Sequence, residues 1–256
     1  MKLNRKNVIG LIPAAGEGKR IQPIPFSKEM FPVKVSGKNN TVKVISCFLM
    51  DQFENAGINK AIFIIRSGKW DIPKFWGERN PLSIKLGFIV VKNTSSVPET
   101  IDNAYPFIKG NIVAFGFPDL IIEPENVYSE LFDKLNSTNA NITLGLFPVD
   151  NPSKFDMVEF SENNEVKNIY VKPRKTDLKF AWTVAVWDSV FSEFIHKWLK
   201  ENQNTEENGE LQLSTIIIDA IRKGLKVGSV KFDTGRCIDI GTMEDLNKVI
   251  KILNSK

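Results

Sequence analysis

Leu11-Ile-Pro-Ala-Ala-Gly16-Glu-Gly18-Lys-Arg20, followed by Pro23 and by Ser27-Lys28-Glu-Met-Phe-Pro32, is the stretch on which the reading of this chain turns. It leaves the apolar run Val8 to Ile12, the pattern of a buried strand. It then passes into two glycines, where bare backbone N–H groups can approach a polyanion closely. Arg20 and Lys28 set two cations beside those amides, the first able to grip phosphate oxygens with two parallel bonds and the second acting as a point charge. Strand, glycine turn and cations together read as a phosphate cradle.

Two familiar phosphate loops are excluded by spacing. A Walker loop requires glycine where Pro13 stands and Ser or Thr where Arg20 follows Lys19, and a dinucleotide fingerprint requires a third glycine at Ile21. The glycines alone also fit a tight strand-to-helix turn with solvated basic residues.

Working outward, the first half alternates short apolar runs with amphipathic stretches. Strands are predicted at Val8 to Ile12, Ala61 to Ile65, Leu86 to Val91 and Ile112 to Phe117, with helices over Thr41 to Ala56, Lys69 to Trp76 and Glu99 to Phe107. This βαβ rhythm predicts an α/β fold: a Rossmann-like, mixed and mostly parallel sheet sandwiched by helices. Beyond Asp119 the pattern predicts a helix from Asn126 to Leu135 and strands at Asn141 to Pro148, Met157 to Phe160, Val166 to Val171, Phe180 to Trp187 and Val227 to Val230. Asn163-Asn164 tolerate positive φ and favour a hairpin, giving a small antiparallel β subregion. Helices follow at Ser189 to Lys200 and Leu213 to Lys223, the polar segment Glu201 to Glu210 reads as a mobile loop, and Thr242 with Asp245 caps a last helix. The chain reads as one domain, residues 1–256, in two halves of about residues 1–135 and about residues 136–256.

The 256 residues are 42% hydrophobic and 25% charged, enough for a substantial core in an ordinary soluble protein. No apolar run is long enough to span a bilayer and no leader with a cleavage site opens the sequence, so a cytoplasmic protein is expected. Lysines are spread along the chain without a basic stripe, which sets nucleic acid well behind a small anionic ligand. Two cysteines, Cys47 and Cys237, and the single His196 cannot make a structural zinc site, so any metal must be held by carboxylates, which suits magnesium, or manganese in its place. His196 and Cys47 read as packing residues on helices. A homo-oligomer is compatible with the sequence. Ligands of open α/β sheets sit beyond the carboxyl ends of the strands, and Asp119 closes the run Ile112 to Asp119 at that end.

The Ala-Ala-Gly-x-Gly-x-Arg, Pro23 and Ser-Lys-Glu-Met-Phe-Pro-Val pattern resembles the N-terminal motif of sugar-phosphate nucleotidylyltransferases, and its Lys28-Glu29-Met30 wording is most similar to the uridylyl and thymidylyl members acting on glucose 1-phosphate. Phe117-Pro-Asp119, Val171-Lys172-Pro173, Gly209-Glu-Leu-Gln-Leu-Ser214, Arg66-Ser-Gly-Lys69 and Asp239-Ile-Gly-Thr242 extend the resemblance over nearly the whole chain. It implies that Asp119 and Asp239 hold magnesium, that Lys172 receives the phosphate of a sugar 1-phosphate, and that Ala14, Ala15, Gly16, Gly18 and Lys19 contact the nucleoside triphosphate, with Arg20 and Lys28 meeting charge on the phosphates. Ser95, Ser96 and Thr100 are the polar candidates beside the base. The chain departs from the family at Lys19, where Thr or Ser is usual, at Val171 in place of Glu, at Ala181-Trp-Thr-Val-Ala185, which lacks Gly-x-Tyr, and at Pro98 to Ala104, where a glycine-containing loop is expected.

The expected reaction is nucleotidyl transfer from a nucleoside triphosphate to a sugar 1-phosphate, releasing pyrophosphate. Cytidylyl-type transfer to another phosphorylated acceptor and a non-catalytic nucleotide-sensing homologue stay open as alternatives. A glycosyltransferase is disfavoured because no Asp-x-Asp occurs around Asp239. The chain closes soon after Asp245, so no end-product control at a C-terminal extension is expected.

Overall fold

The computed structural model describes residues 7–36, 41–79, 83–202 and 210–254. In chain order its strands are β1 (Val8–Ala14), β2 (Pro32–Ser36), β3 (Thr41–Val44), β4 (Lys60–Arg66), β5 (Lys85–Val91), β6 (Ile112–Phe115), β7 (Leu120–Glu123), β8 (Ile142–Pro148), β9 (Met157–Phe160), β10 (Val166–Tyr170), β11 (Phe180–Trp187), β12 (Val227–Lys231) and β13 (Arg236–Asp239). Its helices are α1 (Ser46–Asn55), α2 (Asp71–Arg79), α3 (Val97–Asp102), α4 (Tyr105–Ile108), α5 (Val127–Thr138), α6 (Ser189–Glu201), α7 (Leu213–Arg222) and α8 (Met243–Asn254).

The main sheet runs β12-β8-β11-β6-β1-β4-β5, with the β9-β10 hairpin attached where Ala181 meets Met157. β6, β1, β4 and β5 are mutually parallel, as are β8 and β12, while β11 lies antiparallel between β6 and β8 and joins the two groups into one sheet. Apolar residues cover both faces, as a sheet flanked by helices requires. Val8 and Ile12 of β1 pack on one side with Phe53, Trp76 and Tyr128, and Ile9 and Leu11 on the other with Phe115, Trp187 and Phe191. The fold is therefore the expected mixed, mostly parallel α/β sheet, with two small antiparallel sheets, β2-β3 and β7-β13, beside it.

Two local expectations give way, and β7 is an element the sequence reading did not include. Thr41 to Ala56 is not one helix: Thr41–Val44 is a strand paired with β2, and the helix begins at Ser46. Thr41, Val42 and Val44 are β-branched, which favours a pleated strand over a helical turn. Glu99 to Phe107 splits into α3 and α4 because Pro106, at the start of α4, has no N–H to continue a helix and its ring would meet the carbonyl of Asp102. Finally, β7 follows Asp119 directly; a four-residue strand whose partner lies near the far end of the sequence leaves no local period. The Asn163-Asn164 turn forms with Asn164 at φ +60°, and Thr242 caps α8, its Oγ1 accepting from the Asp245 N–H at 3.2 Å. Most of the Glu201 to Glu210 segment lies outside the described residues. Cys47 and Cys237 are free thiols, held up to about 11 and about 12 by burial.

Candidate active site

The loop after β1 is fixed by its own residues. Gly18 stands at φ +63°, a left-handed conformation that side chains resist, and turns the chain into a single 3-10 turn, Lys19–Ile21. Ile21, buried below that turn, leaves Arg20 exposed above it. A Cβ at Gly16 would meet nothing within 4 Å, so the protein's own packing leaves that side of the loop open.

Lys28 heads a second 3-10 turn, Lys28–Met30, that is clamped from both sides by the approach to α2. The Asp71 carboxylate accepts from the Ser27 N–H at 2.6 Å and from Ser27 Oγ at 2.7 Å. Lys69 Nζ reaches both oxygens of Glu29, at 2.8 and 3.0 Å. Glu29 is only 1% exposed, and burial pushes its carboxyl up against the opposing pull of Lys69 and Lys28. Removing one member of such a pair strands a buried charge, so Lys69→Met is expected to cost about 3–5 kcal/mol in urea unfolding. A loss below about 1 kcal/mol would show that the pair does not hold this turn.

The carboxylates come from the other side. β7 and β13 run antiparallel with Leu120 opposite Asp239, and the Ile240 N–H donates to the Asp119 carbonyl at 3.2 Å, so the two aspartates occupy neighbouring positions. A small separate core holds the parts together: Ile21 from the basic loop, Ile121 from β7, Ile240 after β13, and Leu246 and Val249 from α8. Lys28 Nζ donates to Asp119 Oδ2. Burial alone would lower the Lys28 pKa, but Asp119, Glu29 and Asp239 outweigh it and raise it, so the ammonium stays charged. Burial first, and then the Asp119 charge, push the Asp239 carboxyl up to about 6 against Lys28 and Arg20.

Gly241 explains how Arg20 reaches this place. A Cβ there would lie 3.0 Å from Asp239 Oδ2 and 3.2 Å from Arg20 Nη2, so any side chain would press the carboxylate and the guanidinium out of place by a few tenths of an ångström. Gly241→Ala is expected to lower turnover about tenfold with an almost unchanged melting temperature, because a sub-ångström displacement of a charge-bearing group is felt at the reacting atoms. Unaltered turnover would mean that Arg20 need not sit there.

One cleft of about 580 Å³ gathers most of the residues singled out in the sequence: Ala15, Gly16, Arg20, Lys28, Asp119 and Asp239 line it, together with Ser95, Ser96 and Thr100 and with Lys172. Ala14, Gly18 and Lys19 do not line it. Lys19 is 84% exposed and pairs with Glu17 at 2.6 Å, and Glu17 also takes Arg66 at 3.0 Å. Ser96 is occupied as the N-cap of α3, accepting from the Glu99 N–H at 3.3 Å, and Thr100 is buried with its hydroxyl on the Ser96 carbonyl at 2.9 Å. His196 pairs with Asp102 at 2.9 Å and stacks on Tyr105, away from the cleft. Sequence reasoning did not single out Glu29, Asp71, Lys154 or Asp156; the first two lie in or next to quoted motifs, but their partners are set by tertiary packing alone.

The donor set suits a hard divalent cation. Two adjacent carboxylates, one of them disfavoured as an anion by the other, gain from a cation between them, and phosphate oxygens and water can complete such a shell. Among the described residues no cluster of three or more His, Cys, Asp and Glu side chains offers an alternative seat.

The nucleotidyl transferase family profile matches residues 9–256. The chain belongs to the nucleotidyl transferase family. Among its curated relatives, the bifunctional protein GlmU of Methanococcus maripaludis is 26% identical over 96% of this chain and 56% of its own length. The glucose-1-phosphate thymidylyltransferase of Neisseria meningitidis is 25% identical over 96% of this chain and 82% of its own. This nucleotidyl transferase thus spans about half the length of the GlmU relatives it matches. A UDP-glucose pyrophosphorylase solved with UDP-glucose shares the fold at a TM-score of 0.79 and 16% identity, over 96% of this chain and 98% of the other. No helix among the described residues is long and apolar enough to cross a membrane.

Proposed function

We propose that this nucleotidyl transferase joins a nucleoside triphosphate to a sugar 1-phosphate, giving a nucleotide sugar and pyrophosphate in the cytoplasm. The observation that carries the reading is the convergence of Arg20, Lys28, Asp119, Asp239 and Lys172 on a single cleft. A phosphate oxygen of the acceptor attacks the α-phosphorus in line; the new P–O bond forms as the bond to the β-phosphate oxygen breaks, and the electron pair leaves on pyrophosphate. The nucleophile is already an anion, so no general base is required, and catalysis is positioning with charge neutralisation.

In this reading the open backbone at Gly16 cradles the phosphates, Arg20 stabilises charge on the departing pyrophosphate, and Lys28 meets charge developing at the α-phosphate. Lys172 holds the attacking phosphate. The first half, about residues 1–135, serves as the nucleotide-binding half and the second, about residues 136–256, as the sugar-phosphate-binding half, with Asp239 of the second reaching the triphosphate. Asp119 and Asp239 would hold magnesium, which when bound supplies further neutralisation of the triphosphate.

Base and sugar are best assigned by assay. UTP, dTTP and CTP are each paired with glucose 1-phosphate, an amino-sugar 1-phosphate, a heptose 1-phosphate and a non-sugar phosphate monoester, and pyrophosphate release is followed. Release with at least one sugar 1-phosphate is expected; release only with a non-sugar phosphate, or tight triphosphate binding without release in any pairing, would overturn the proposal.

A further inference from the structure

Lys172 holds an unusual backbone. It stands at φ +39°, in the left-handed region, and it precedes Pro173, which further disfavours helical conformations at the residue before it. A non-glycine residue keeps such a conformation only where its surroundings over-determine it. Here they do so through a chain of hydrogen bonds assembled from four parts of the sequence. The Lys172 N–H donates to Asp156 Oδ1 at 3.2 Å, Ser214 Oγ donates to Asp156 Oδ2, and Trp182 Nε1 donates to Ser214 Oγ at 2.8 Å. Ser214 is fully buried and Trp182 nearly so, so the far end of the chain is rigid, whereas Lys172 at the near end is exposed in the cleft. Asp156 lies between, half-buried, with both oxygens occupied by the protein. Trp182 belongs to the segment where this chain departs most from the resembled motif.

We propose that Asp156 is a positioning residue: its carboxylate, steadied by Ser214 and Trp182, holds the Lys172 backbone in its left-handed turn and thereby sets where the lysine ammonium meets the acceptor phosphate. This rests on the reading of Lys172 as the acceptor-phosphate residue. Without Asp156 the turn relaxes toward negative φ, and the ammonium leaves the place to which the acceptor must deliver its attacking oxygen. The triphosphate side, built on β1, β7 and β13, is untouched.

The experiment uses the full chain with the most active triphosphate and sugar 1-phosphate pair from the assay above. Lys172→Ala is expected to raise the acceptor KM at least about tenfold and to leave the triphosphate KM unchanged. Asp156→Ala should raise the acceptor KM about tenfold in the same selective way, and in the Lys172→Ala background it should add nothing. Asp156→Asn, which still offers an oxygen to the Lys172 N–H, should restore most of the loss. Full additivity of the two variants, an equal rise in both KM values, or no change with Asp156→Ala overturns the positioning role while leaving Lys172 in place. A Lys172→Ala enzyme with an unaltered acceptor KM overturns both. Should Asp156→Ala not fold, Ser214→Ala serves instead, with an expected rise of about threefold in acceptor KM alone and the same two overturning results.

Discussion

Arg20→Ala lowers pyrophosphate release by about 10²–10³, the loss found when one preorganised charge-stabilising contact is removed. The size follows from how much structure is devoted to this side chain. Gly18 turns the loop, Ile21 anchors it in the small core shared with β7 and α8, and Gly241 clears the space in which the guanidinium lies beside Asp239. Lysine at this position keeps the charge but not the two-pronged geometry, so Arg20→Lys recovers only part of the rate. Asp119→Asn gives a loss of the same order, since it removes the partner of Lys28 together with half of the carboxylate pair. Pre-steady-state measurement of pyrophosphate release separates this effect from substrate binding; a decrease of less than about tenfold in Arg20→Ala would remove Arg20 from the chemistry.

Asp239→Asn has two opposite consequences. Turnover falls by about 10² or more, because the carboxylate pair is broken. Stability of the metal-free protein rises. A carboxyl group whose folded pKa lies above its unfolded value, here about 6 against an ordinary value of 3.8, binds its proton more tightly in the folded state. The folded state is therefore favoured at low pH, and that advantage is lost as pH climbs from about 4 through about 6. Above pH 7 the ionised Asp239 costs about 3 kcal/mol, which asparagine does not incur. Melting curves with chelator present should show Asp239→Asn several degrees above the parent at pH 8 and level with it at pH 4. Equal melting temperatures at pH 8 would show that burial and the neighbouring Asp119 together do not disfavour the Asp239 carboxylate in the folded protein.

What the sequence disclosed, and what it withheld, follows one physical division. β1, β6 and β11 are apolar runs buried on both faces by helices, so length and composition alone mark them, and Phe180–Trp187 falls where expected. The basic loop and Asp119 were legible because glycine freedom and a carboxylate at a strand end are local signals. The β7-β13 pair was not, since each strand is four residues long and its meaning lies in a partner far away in the sequence. That pair is nevertheless what sets Asp119 beside Asp239. The Glu29-Lys69 and Ser27-Asp71 clamps under Lys28 were invisible for the same reason: each residue alone reads as a solvated charge or a turn former. Asp156 carries no local signal either, and only the folded chain shows that its two oxygens join Lys172 to Ser214. Where the reading failed outright, local chemistry still explains the result, through β-branching at Thr41–Val44 and the ring of Pro106.

The most direct test of the central claim is a crystal structure of the protein with a non-hydrolysable nucleoside triphosphate and manganese, read by anomalous scattering. The account predicts one manganese peak held by the carboxylates of Asp119 and Asp239, with phosphate oxygens along the Gly16 to Gly18 backbone and the Arg20 guanidinium upon them. Manganese bound elsewhere, or a triphosphate whose phosphates lie away from Arg20 and Lys28, would contradict it.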